Sequence, residues 1–306
     1  MSNNTKKADN ILIVIAGATA TGKTATAVTL AQHLECDIIS ADSRQVYKEI
    51  SIGTAKPGKE EMQGVKHHFI DHISIFENYD AGIYEKEVIE FLNRYFKNTN
   101  IAILCGGTGM YIEAVLHGLD EFPLVPAEIR DKYIFLHKNK GLEYLREELK
   151  QKDKKYYDMV DIHNPHRLIR ALSVIDFTGK KFSDFLRGKA KKRNFRYIPV
   201  RLELPRDILY EKINNRVDIM IKNGLIEEAR SLYQHKHLKA LQTVGYKELF
   251  DYFEGKTTKN EAIDLIKRNT RRYAKRQITW FKNRGDWTAF HPGNIGEILH
   301  FIEKII

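Results

Sequence analysis

The sequence has 306 residues, of which 42% are hydrophobic, and its formal net charge is +10. This length suggests about two domains, or one core with a large insertion, and the apolar fraction excludes a chain too polar to bury a core. The positive charge favours a polyanionic partner, because each phosphate that is neutralised releases condensed counterions. A soluble basic protein without such a partner is the alternative.

The sequence shows no feature of a secreted or membrane protein. Residues 1–10 are polar and lack the apolar segment of a signal peptide, and no apolar run is long enough to span a bilayer. Cys36 and Cys105 lie in or beside apolar runs without the spacing of a metal site, which predicts buried, reduced thiols. We therefore expect a soluble, cytoplasmic protein.

Short apolar segments followed by polar turns alternate with helical patterns along the chain. The predicted strands are Ile11–Ala16, Asp37–Ala41, Ile101–Cys105 and Tyr197–Leu204, and a helix over Thr24–Leu34 follows the first of them. Strands that alternate with helices pair in parallel through right-handed crossovers. The pattern predicts an α/β fold, a doubly wound parallel sheet.

One long segment interrupts this alternation. Residues 126–193 show few strand signals, and a helix is predicted to begin within them at Asn164–Pro165. We expect a mainly helical insertion here, which divides the α/β core into residues 1–125 and 194–306. Within the insertion and just beyond it, the basic stretch RGKAKKRNFR (187–196) suits a hinge that follows phosphates, with a solvated linker as an equal alternative.

The C-terminal region is predicted to be helical and basic. Thr258 and Glu261 fit a capping box, and the helix after them has no acidic residue between Lys267 and Arg284. Its aromatic pair Trp280–Phe281 is predicted to be core and not a surface for base stacking.

Residues 17–24 (GATATGKT) satisfy the pattern G-x-x-x-x-G-K-[ST], after a predicted strand and at the start of a predicted helix. In such a loop the backbone N–H groups and the helix dipole bind phosphate oxygens. Lys23 adds a positive charge, and Thr24 adds a hydroxyl that suits Mg²⁺. The residues predicted to bind phosphate are Gly17, Ala18, Thr19, Ala20, Thr21, Gly22, Lys23 and Thr24.

A loop of this kind most often belongs to a nucleoside triphosphatase or a kinase. Such an enzyme needs a second acidic Mg²⁺ ligand at the end of a hydrophobic strand. The strand Ile101–Cys105 is followed by Gly-Gly-Thr-Gly instead, and Asp42 opens a polar cluster that better suits gripping a substrate. The kinase hypothesis is weakened and stays open.

Three loops should meet where the predicted strands end. Ligands of open parallel sheets bind at the carboxyl ends of the strands, so loops 17–24, 42–45 and 106–111 are expected to converge. Asp42 and the hydroxyl of Thr108 would then lie near the phosphates. A carboxylate at this place suits a general base that takes a proton from an attacking amine. Asp42 equally fits a helix N-cap, and the residues alone support both roles.

The chain resembles the bacterial tRNA dimethylallyltransferases, also called tRNA isopentenyltransferases, along nearly its whole length. The matching motifs follow the order of the family, and DSRQVYK, GGTGMY and QTVGYKE are specific to it and its close relatives. The motifs are GATATGKT (17–24), DSRQVYK (42–48), IGTAKP (52–57), HHFID (67–71), GGTGMY (106–111), RLIRAL (167–172), TGKKFS (178–183), NRVDIMIKNGLIEEAR (215–230), QTVGYKE (242–248) and RRYAKRQITWF (271–281).

The resemblance implies a P-loop α/β core and a transferase reaction. A dimethylallyl group would pass from dimethylallyl diphosphate to N6 of adenosine 37, on the 3′ side of the tRNA anticodon, with Mg²⁺ as cofactor and diphosphate as product. Asp42 is implied as the general base and Thr108 as a neighbour of the target nucleotide. Lys23 and Arg216 would stabilise the leaving diphosphate. A monomer is expected.

The resemblance also implies which residues contact tRNA. An adenine within a folded loop must be extruded to reach a pocket, and residues beside Asp42 are candidates for reading it. Spacing alone favours a solvated helix face for Arg167 and Arg170. The sequence departs from the family at Ala18, where proline is common, and after Asn164, where an aspartate is missing. The candidate tRNA contacts are Asp42, Ser43, Arg44, Gln45, Thr108, Arg130, His166, Arg167 and Arg170.

Three other functions stay open at the level of the sequence. The chain could prenylate free AMP or ATP, it could be a P-loop kinase, or it could bind RNA without catalysis. The basic insertion and tail favour tRNA over a free nucleotide, because a free nucleotide needs no such surface.

Overall fold

The computed structural model describes residues 9–186, 188 and 190–306, which form two compact units. The first unit contains residues up to 117 together with 192–306, and the second contains 118–191. The predicted insertion, 126–193, begins later than the second unit. Residues 118–125 have no helix or strand, yet Phe122 and Val125 pack into the hydrophobic core of this unit.

The first unit is built on a six-stranded sheet. The strands lie in the order β3-β2-β4-β1-β5-β6, and each neighbouring pair is parallel. This confirms the predicted α/β class with a parallel sheet, and the ends of the four predicted strands differ from the observed ones by a residue or two. The strands are β1 (Ile11–Gly17), β2 (Ile38–Ser40), β3 (His67–His68), β4 (Ile101–Gly106), β5 (Arg196–Leu202) and β6 (Thr288–Phe290).

Twelve α-helices are present in the described part of the chain, and no helix there is long and apolar enough to cross a membrane. The helices are α1 (Lys23–His33), α2 (Lys59–Met62), α3 (Ala81–Tyr95), α4 (Gly109–His117), α5 (Ala127–Lys152), α6 (Lys154–Tyr157), α7 (Pro165–Thr178), α8 (Arg206–Lys222), α9 (Leu225–Ser231), α10 (Tyr246–Phe253), α11 (Lys259–Lys282) and α12 (Ile295–Glu303). Short 3₁₀ turns span Ile52–Thr54, Phe182–Phe185, Tyr233–His235 and Lys239–Leu241.

The composition of β1 explains its place in the middle of the sheet. All seven of its residues are buried. Leu12 and Val14 point into one hydrophobic cluster, whereas Ile13 and Ile15 point into another that also contains residues of α1 and α12. Side chains of successive strand residues point to opposite faces, so an apolar run without alternation fits a strand that is covered on both sides.

The second unit, residues 118–191, contains α5, α6 and α7. Gly141 interrupts α5 with φ 78° and ψ 179°. As predicted, α7 begins after Asn164, whose side chain accepts a hydrogen bond from the His166 N–H at 3.1 Å, and Pro165 occupies the first helical position. The core of this unit includes Tyr133, Leu145, Leu149, Leu168, Ala171 and Leu172.

The long helix α11 begins with the predicted capping box. The Glu261 carboxylate accepts from the Thr258 N–H at 2.7 Å, and the Thr258 hydroxyl accepts from the Glu261 N–H at 3.3 Å. Near the other end Phe281 is buried, and Trp280 packs against the same cluster. Both aromatics therefore belong to the core, as the sequence predicted.

Cys36 and Cys105 are free thiols, the first buried and the second half-buried. Burial raises the pKa of both thiols to about 12. Asp37 adds to the shift at Cys36, and Asp42 adds to it at Cys105. The protonated form is thus retained at neutral pH, and neither thiol has the low pKa of a reactive cysteine.

Candidate functional site

Three loops meet at the carboxyl edge of the sheet, where the neighbouring strands β2, β4 and β1 end. Backbone hydrogen bonds join the residue after β2 to the end of β4 and to the loop that follows β4. The Ala41 N–H donates to the Cys105 carbonyl at 2.8 Å, and the Thr108 N–H donates to the Ala41 carbonyl at 3.1 Å. The structure thus brings together the loops that follow β1, β2 and β4, which hold the predicted phosphate-binding residues, Asp42 and Thr108.

The loop between β1 and α1 forms a phosphate cradle. The Thr21 hydroxyl donates to the Ala18 carbonyl at 2.8 Å, and the Lys23 ammonium donates to the same carbonyl at 2.7 Å. The N–H groups of Gly22, Lys23 and Thr24 have no acceptor among the described residues, as expected of the first turn of a helix. Unpaired donors at the positive end of a helix dipole favour an anion.

Burial of the Lys23 ammonium lowers its pKa from 10.5 to about 8. The neighbouring Arg216 guanidinium lowers it further, whereas the Asp42 carboxylate and the Cys105 sulfur act in the opposite direction. An anion bound in the cradle would favour the charged ammonium, because opposite charges at short range stabilise the ionised form.

Binding of inorganic diphosphate is therefore expected to weaken as the pH rises above about 8. Above that pH the free protein holds Lys23 neutral, so binding must take up a proton, and the affinity falls by up to about tenfold per pH unit. Calorimetric titrations at pH 7 to 9.5 measure this effect. Lys23→Met is the control, since ionisation of the ligand affects both proteins equally. A ratio of the two affinities that stays constant over this range would contradict the assignment.

Arg216 reaches the cradle from α8. Its guanidinium donates to the Thr19 hydroxyl at 3.4 Å. Burial lowers the pKa of Arg216, while Glu61 and Asp42 oppose that shift. The charge of Asp42 therefore acts on both cations of the cradle, Lys23 and Arg216.

Asp42 uses one of its two carboxylate oxygens to hold its own loop. Its Oδ1 accepts from the Arg44 N–H at 2.8 Å and from the Gln45 N–H at 3.3 Å. These bonds hold a turn at residues 43–46, and no helix begins there, so the helix N-cap that the sequence allowed for Asp42 is wrong. Its Oδ2 accepts no hydrogen bond from the described residues, so the loop engages only one of the two oxygens.

The hydroxyl of Thr108 connects the loop after β4 to the loop of Asp42. It accepts from the Ser43 N–H at 3.0 Å and lies 3.4 Å from the Ser43 hydroxyl. The pKa of Tyr273, on α11, is raised to about 12 by desolvation of its hydroxyl and by the Asp42 charge, which indicates that this hydroxyl lies near the same loops. In the sequence Tyr273 lies in the motif RRYAKRQITWF (271–281), which shows no link to this site.

Arg44 and Gln45 direct their side chains to backbone carbonyls. The Arg44 guanidinium donates to the carbonyls of Lys239 and Ala240 at 3.3 and 3.1 Å. The Gln45 amide donates to the carbonyls of residues 54 and 55 at 3.2 and 3.1 Å. These bonds fix the loop that carries Asp42. Recognition of a nucleotide by Ser43, Arg44 or Gln45 stays a prediction.

Glu228 fixes the turn that receives the Gln45 amide, and sequence reasoning did not select it. Its carboxylate accepts from the N–H groups of Ser51, Ile52 and Gly53, each at 2.9 Å, and from the Tyr246 hydroxyl at 2.6 Å. The turn lies in the IGTAKP motif and the tyrosine in QTVGYKE. Glu228 itself lies in NRVDIMIKNGLIEEAR, so all three motifs were visible in the sequence, whereas the contacts among them were not.

The other candidate tRNA contacts lie in the second unit. Arg130 is on α5, and His166, Arg167 and Arg170 are on the first turns of α7. All four are exposed. The Arg170 guanidinium lies 5.0 Å from the centre of the Phe122 ring, which holds it by a cation–π contact. Exposure suits both a phosphate contact and a solvated helix face.

The basic stretch 187–196 is only partly free to follow phosphates. Arg187 and Lys189 lie outside the described residues. Arg193 pairs with the largely buried Glu85 at 2.9 Å and donates to the Ala114 carbonyl at 2.7 Å. The expectation of a phosphate-tracking hinge is therefore wrong for Arg193, because its guanidinium is already used within the first unit.

The oxygen atoms near the phosphate cradle could bind Mg²⁺ only together with phosphate oxygens. The described residues contain no group of three or more His, Cys, Asp or Glu side chains that could hold a metal. Mg²⁺ usually takes one or two protein oxygens together with substrate phosphates and water. The hydroxyl of Thr24, at the start of α1 and beside the unpaired N–H groups, fits such a partial site.

Comparison with known proteins points to one family. A model of the IPP transferase family matches residues 45–284. The chain is 49% identical to the tRNA dimethylallyltransferase of Christiangramia forsetii over 97% of its length and 99% of that protein. It is 46% identical to the tRNA dimethylallyltransferase of Flavobacterium johnsoniae over 95% of this chain and 96% of that one.

Solved structures give the same result. The tRNA isopentenylpyrophosphate transferase of Bacillus halodurans matches with a TM-score of 0.73 and 36% identity, over 96% of both chains. A eukaryotic dimethylallyltransferase acting on tRNA matches with a TM-score of 0.74 and 26% identity, over 92% of this chain and 74% of that one. The similarity therefore covers the loops of the site as well as the sheet that carries them.

Proposed function

Because this chain belongs to the IPP transferase family, we propose that it transfers a dimethylallyl group from dimethylallyl diphosphate to N6 of adenosine 37 in tRNA. Diphosphate is the second product. The observation that supports this proposal is the single carboxylate of Asp42 within electrostatic range of both cations of a phosphate cradle. The cradle suits a diphosphate, and the carboxylate suits an amine that must lose a proton on attack.

In the proposed reaction N6 of the adenine attacks the allylic carbon of the donor. A nitrogen–carbon bond forms while the carbon–oxygen bond to the diphosphate breaks, and the proton of N6 passes to Oδ2 of Asp42. The base is needed because the amino lone pair is delocalised into the adenine ring. Since Oδ1 is held by the N–H groups of Arg44 and Gln45, the carboxylate keeps one orientation during this transfer.

Negative charge grows on the diphosphate as it leaves. The unpaired N–H groups of the cradle, Lys23 and Arg216 are placed to stabilise that charge without rearranging. Mg²⁺, held by the Thr24 hydroxyl together with the phosphates, would supply further positive charge. No ATP is consumed in this scheme, which separates it from the kinase alternative.

We further propose that the tRNA anticodon stem-loop contacts Thr108 and the loop 42–45 in the first unit and Arg130, His166, Arg167 and Arg170 in the second. The enzyme is proposed to act as a monomer, since the proposed catalytic groups Asp42, Thr108, Lys23 and Arg216 all come from the first unit of one chain. A tRNA substrate also fits the expected cytoplasmic location.

One assay separates this function from its alternatives. The protein is incubated with Mg²⁺, dimethylallyl diphosphate and either unmodified tRNA or AMP, and the nucleosides are weighed after digestion. We expect the mass of one dimethylallyl group on an adenosine of tRNA and none on AMP. Prenyl transfer to AMP but not to tRNA would identify a free-nucleotide enzyme, and ATP turnover without any prenyl transfer would identify a kinase or ATPase.

A further inference from the structure

Gln277 is a buried polar side chain near the C-terminal end of α11, and both the oxygen and the nitrogen of its amide form hydrogen bonds. The residue is 7% exposed. Its Oε1 accepts from the Thr19 N–H at 2.9 Å, and its Nε2 donates to the Gly107 carbonyl at 2.8 Å. A buried amide that satisfies one donor and one acceptor in two different loops stabilises their relative placement.

Of the two loops that Gln277 joins, one is proposed to bind the leaving diphosphate, and the other is proposed to lie beside the acceptor adenine and its base. Thr19 belongs to the phosphate cradle. Gly107 precedes Thr108, which binds the N–H of Ser43 next to Asp42. The strands before these loops are paired as far as Ala16 and Gly106, and beyond that pair Gln277 connects one loop to the other.

The backbone of Gly107 lies so close to the Gln277 amide that a Cβ atom there would displace the amide. A Cβ atom at this position would lie 2.4 Å from Nε2 of Gln277 and 3.2 Å from the Gly17 carbonyl oxygen. The loop backbone therefore rests directly on the amide, and movement of Gln277 would be transmitted to Thr108 and to the loop of Asp42. A further side chain of α11 contacts the same loop, since Trp280 lies against Gly109.

We propose that Gln277 is a positioning residue that sets the spacing between the bound diphosphate and the loops that hold the acceptor and its base. This inference rests on the proposed function. The reacting carbon and nitrogen must be held about 3–3.5 Å apart, and a displacement of about 1 Å costs roughly 100-fold in rate. Gln277 contributes through the two loops and touches neither substrate.

The substitution Gln277→Met tests the proposal, because methionine has a similar length but neither bond. We expect kcat for prenyl transfer to tRNA to fall roughly 10- to 100-fold. The Kd of inorganic diphosphate and KM for dimethylallyl diphosphate should change by less than about threefold, because Lys23, Arg216 and the N–H groups of the cradle are retained. This division between kcat and KM is what a purely structural role would not produce.

A second variant, Gln277→Glu, can form both hydrogen bonds only while its carboxyl group is protonated. In Gln277→Glu a protonated carboxyl group can accept from Thr19 and donate to Gly107, whereas the ionised form can only accept. Burial raises the pKa of a glutamate. The kcat of this variant relative to wild type is therefore expected to rise as the pH falls. This variant also provides the test if Gln277→Met does not fold.

Asn269→Leu is the matched control on the same helix. Its amide donates to the Glu248 carboxylate at 2.7 Å, about two turns before Gln277, and it contacts neither loop. We expect a lower Tm with kcat within about twofold of wild type. Wild-type kcat in stable Gln277→Met, a loss of diphosphate binding as large as the loss of kcat, or a pH-independent ratio for Gln277→Glu would overturn the positioning role. Absence of tRNA prenylation by wild type would instead overturn the proposed function.

Discussion

Asp42→Asn is expected to lower kcat for prenyl transfer by about 100- to 10,000-fold while the Kd of tRNA changes little. Asparagine keeps the Oδ1 that accepts from Arg44 and Gln45, so the loop retains its hydrogen bonds. It replaces the free oxygen by an amide nitrogen, which cannot take a proton from N6. Single-turnover prenylation with saturating enzyme measures the chemical step, and filter binding measures the affinity for tRNA.

Asp80→Asn provides the matched control. The Asp80 Oδ1 accepts from the N–H groups of Gly82 and Ile83 at 2.8 and 3.0 Å, so it caps α3 in the way that Asp42 caps its loop. Asparagine is as good a cap as aspartate, and we expect turnover within about twofold of wild type. If Asp42→Asn turned over at the rate of Asp80→Asn, Asp42 would be a capping residue and the base would lie elsewhere.

Gly106→Ala is expected to destabilise the first unit by about 3 kcal/mol or more. A Cβ atom at Gly106 would lie 2.2 Å from the carbonyl oxygen and 2.4 Å from the carbonyl carbon of Ala41. Those atoms cannot withdraw easily, because Ala41 is hydrogen-bonded on both sides, to Cys105 and to Thr108. The free energy of unfolding in urea measures the effect, and the soluble fraction of the variant should transfer little dimethylallyl because the Asp42 loop is displaced.

Gly296→Ala is the control for this substitution. Gly296 lies near the start of α12, and a Cβ atom there would meet nothing within 4 Å. Alanine in a helix is more stable than glycine by roughly 0.5–1 kcal/mol, so this variant should be neutral or slightly more stable. A Gly106→Ala protein within 1 kcal/mol of wild type would mean that β2 and β4 can separate at their ends, contrary to the close packing described above.

The sequence predicted the four strands that contain an apolar run, β1, β2, β4 and β5, and did not predict β3 and β6. β1 is a continuous apolar run between a polar segment and a glycine, and its limits follow from that composition. β3 consists of two histidines and β6 of Thr-Ala-Phe, so neither has a hydrophobic period. Their pairing with β2 and β5 is determined by the neighbouring strands, which no local pattern reveals.

The residues that make up the candidate site were predictable to different degrees. The phosphate-binding loop follows a fixed spacing, because N–H groups, lysine and hydroxyl must surround one anion. Asp42 supported two roles in the sequence. The structure excludes the helix N-cap, because Oδ1 holds a turn and no helix follows, and the role of general base stays a prediction. Gln277 lies in the motif RRYAKRQITWF, but its role could not be predicted, because the loops that contact its amide are far from it in the sequence.

The two hydrogen bonds of Gln277 can form only late in translation. Thr19 and Gln277 are separated by 258 residues, which a ribosome translating about 5–20 residues per second needs roughly 10–50 s to add. β1 also waits for β4 and β5, since Ile11 pairs with Ile101 and Arg196. The phosphate-binding loop therefore leaves the ribosome early, whereas the helix that joins it to the loop of Thr108 leaves late. A truncated product that stops before α11 would contain both loops without the amide that joins them.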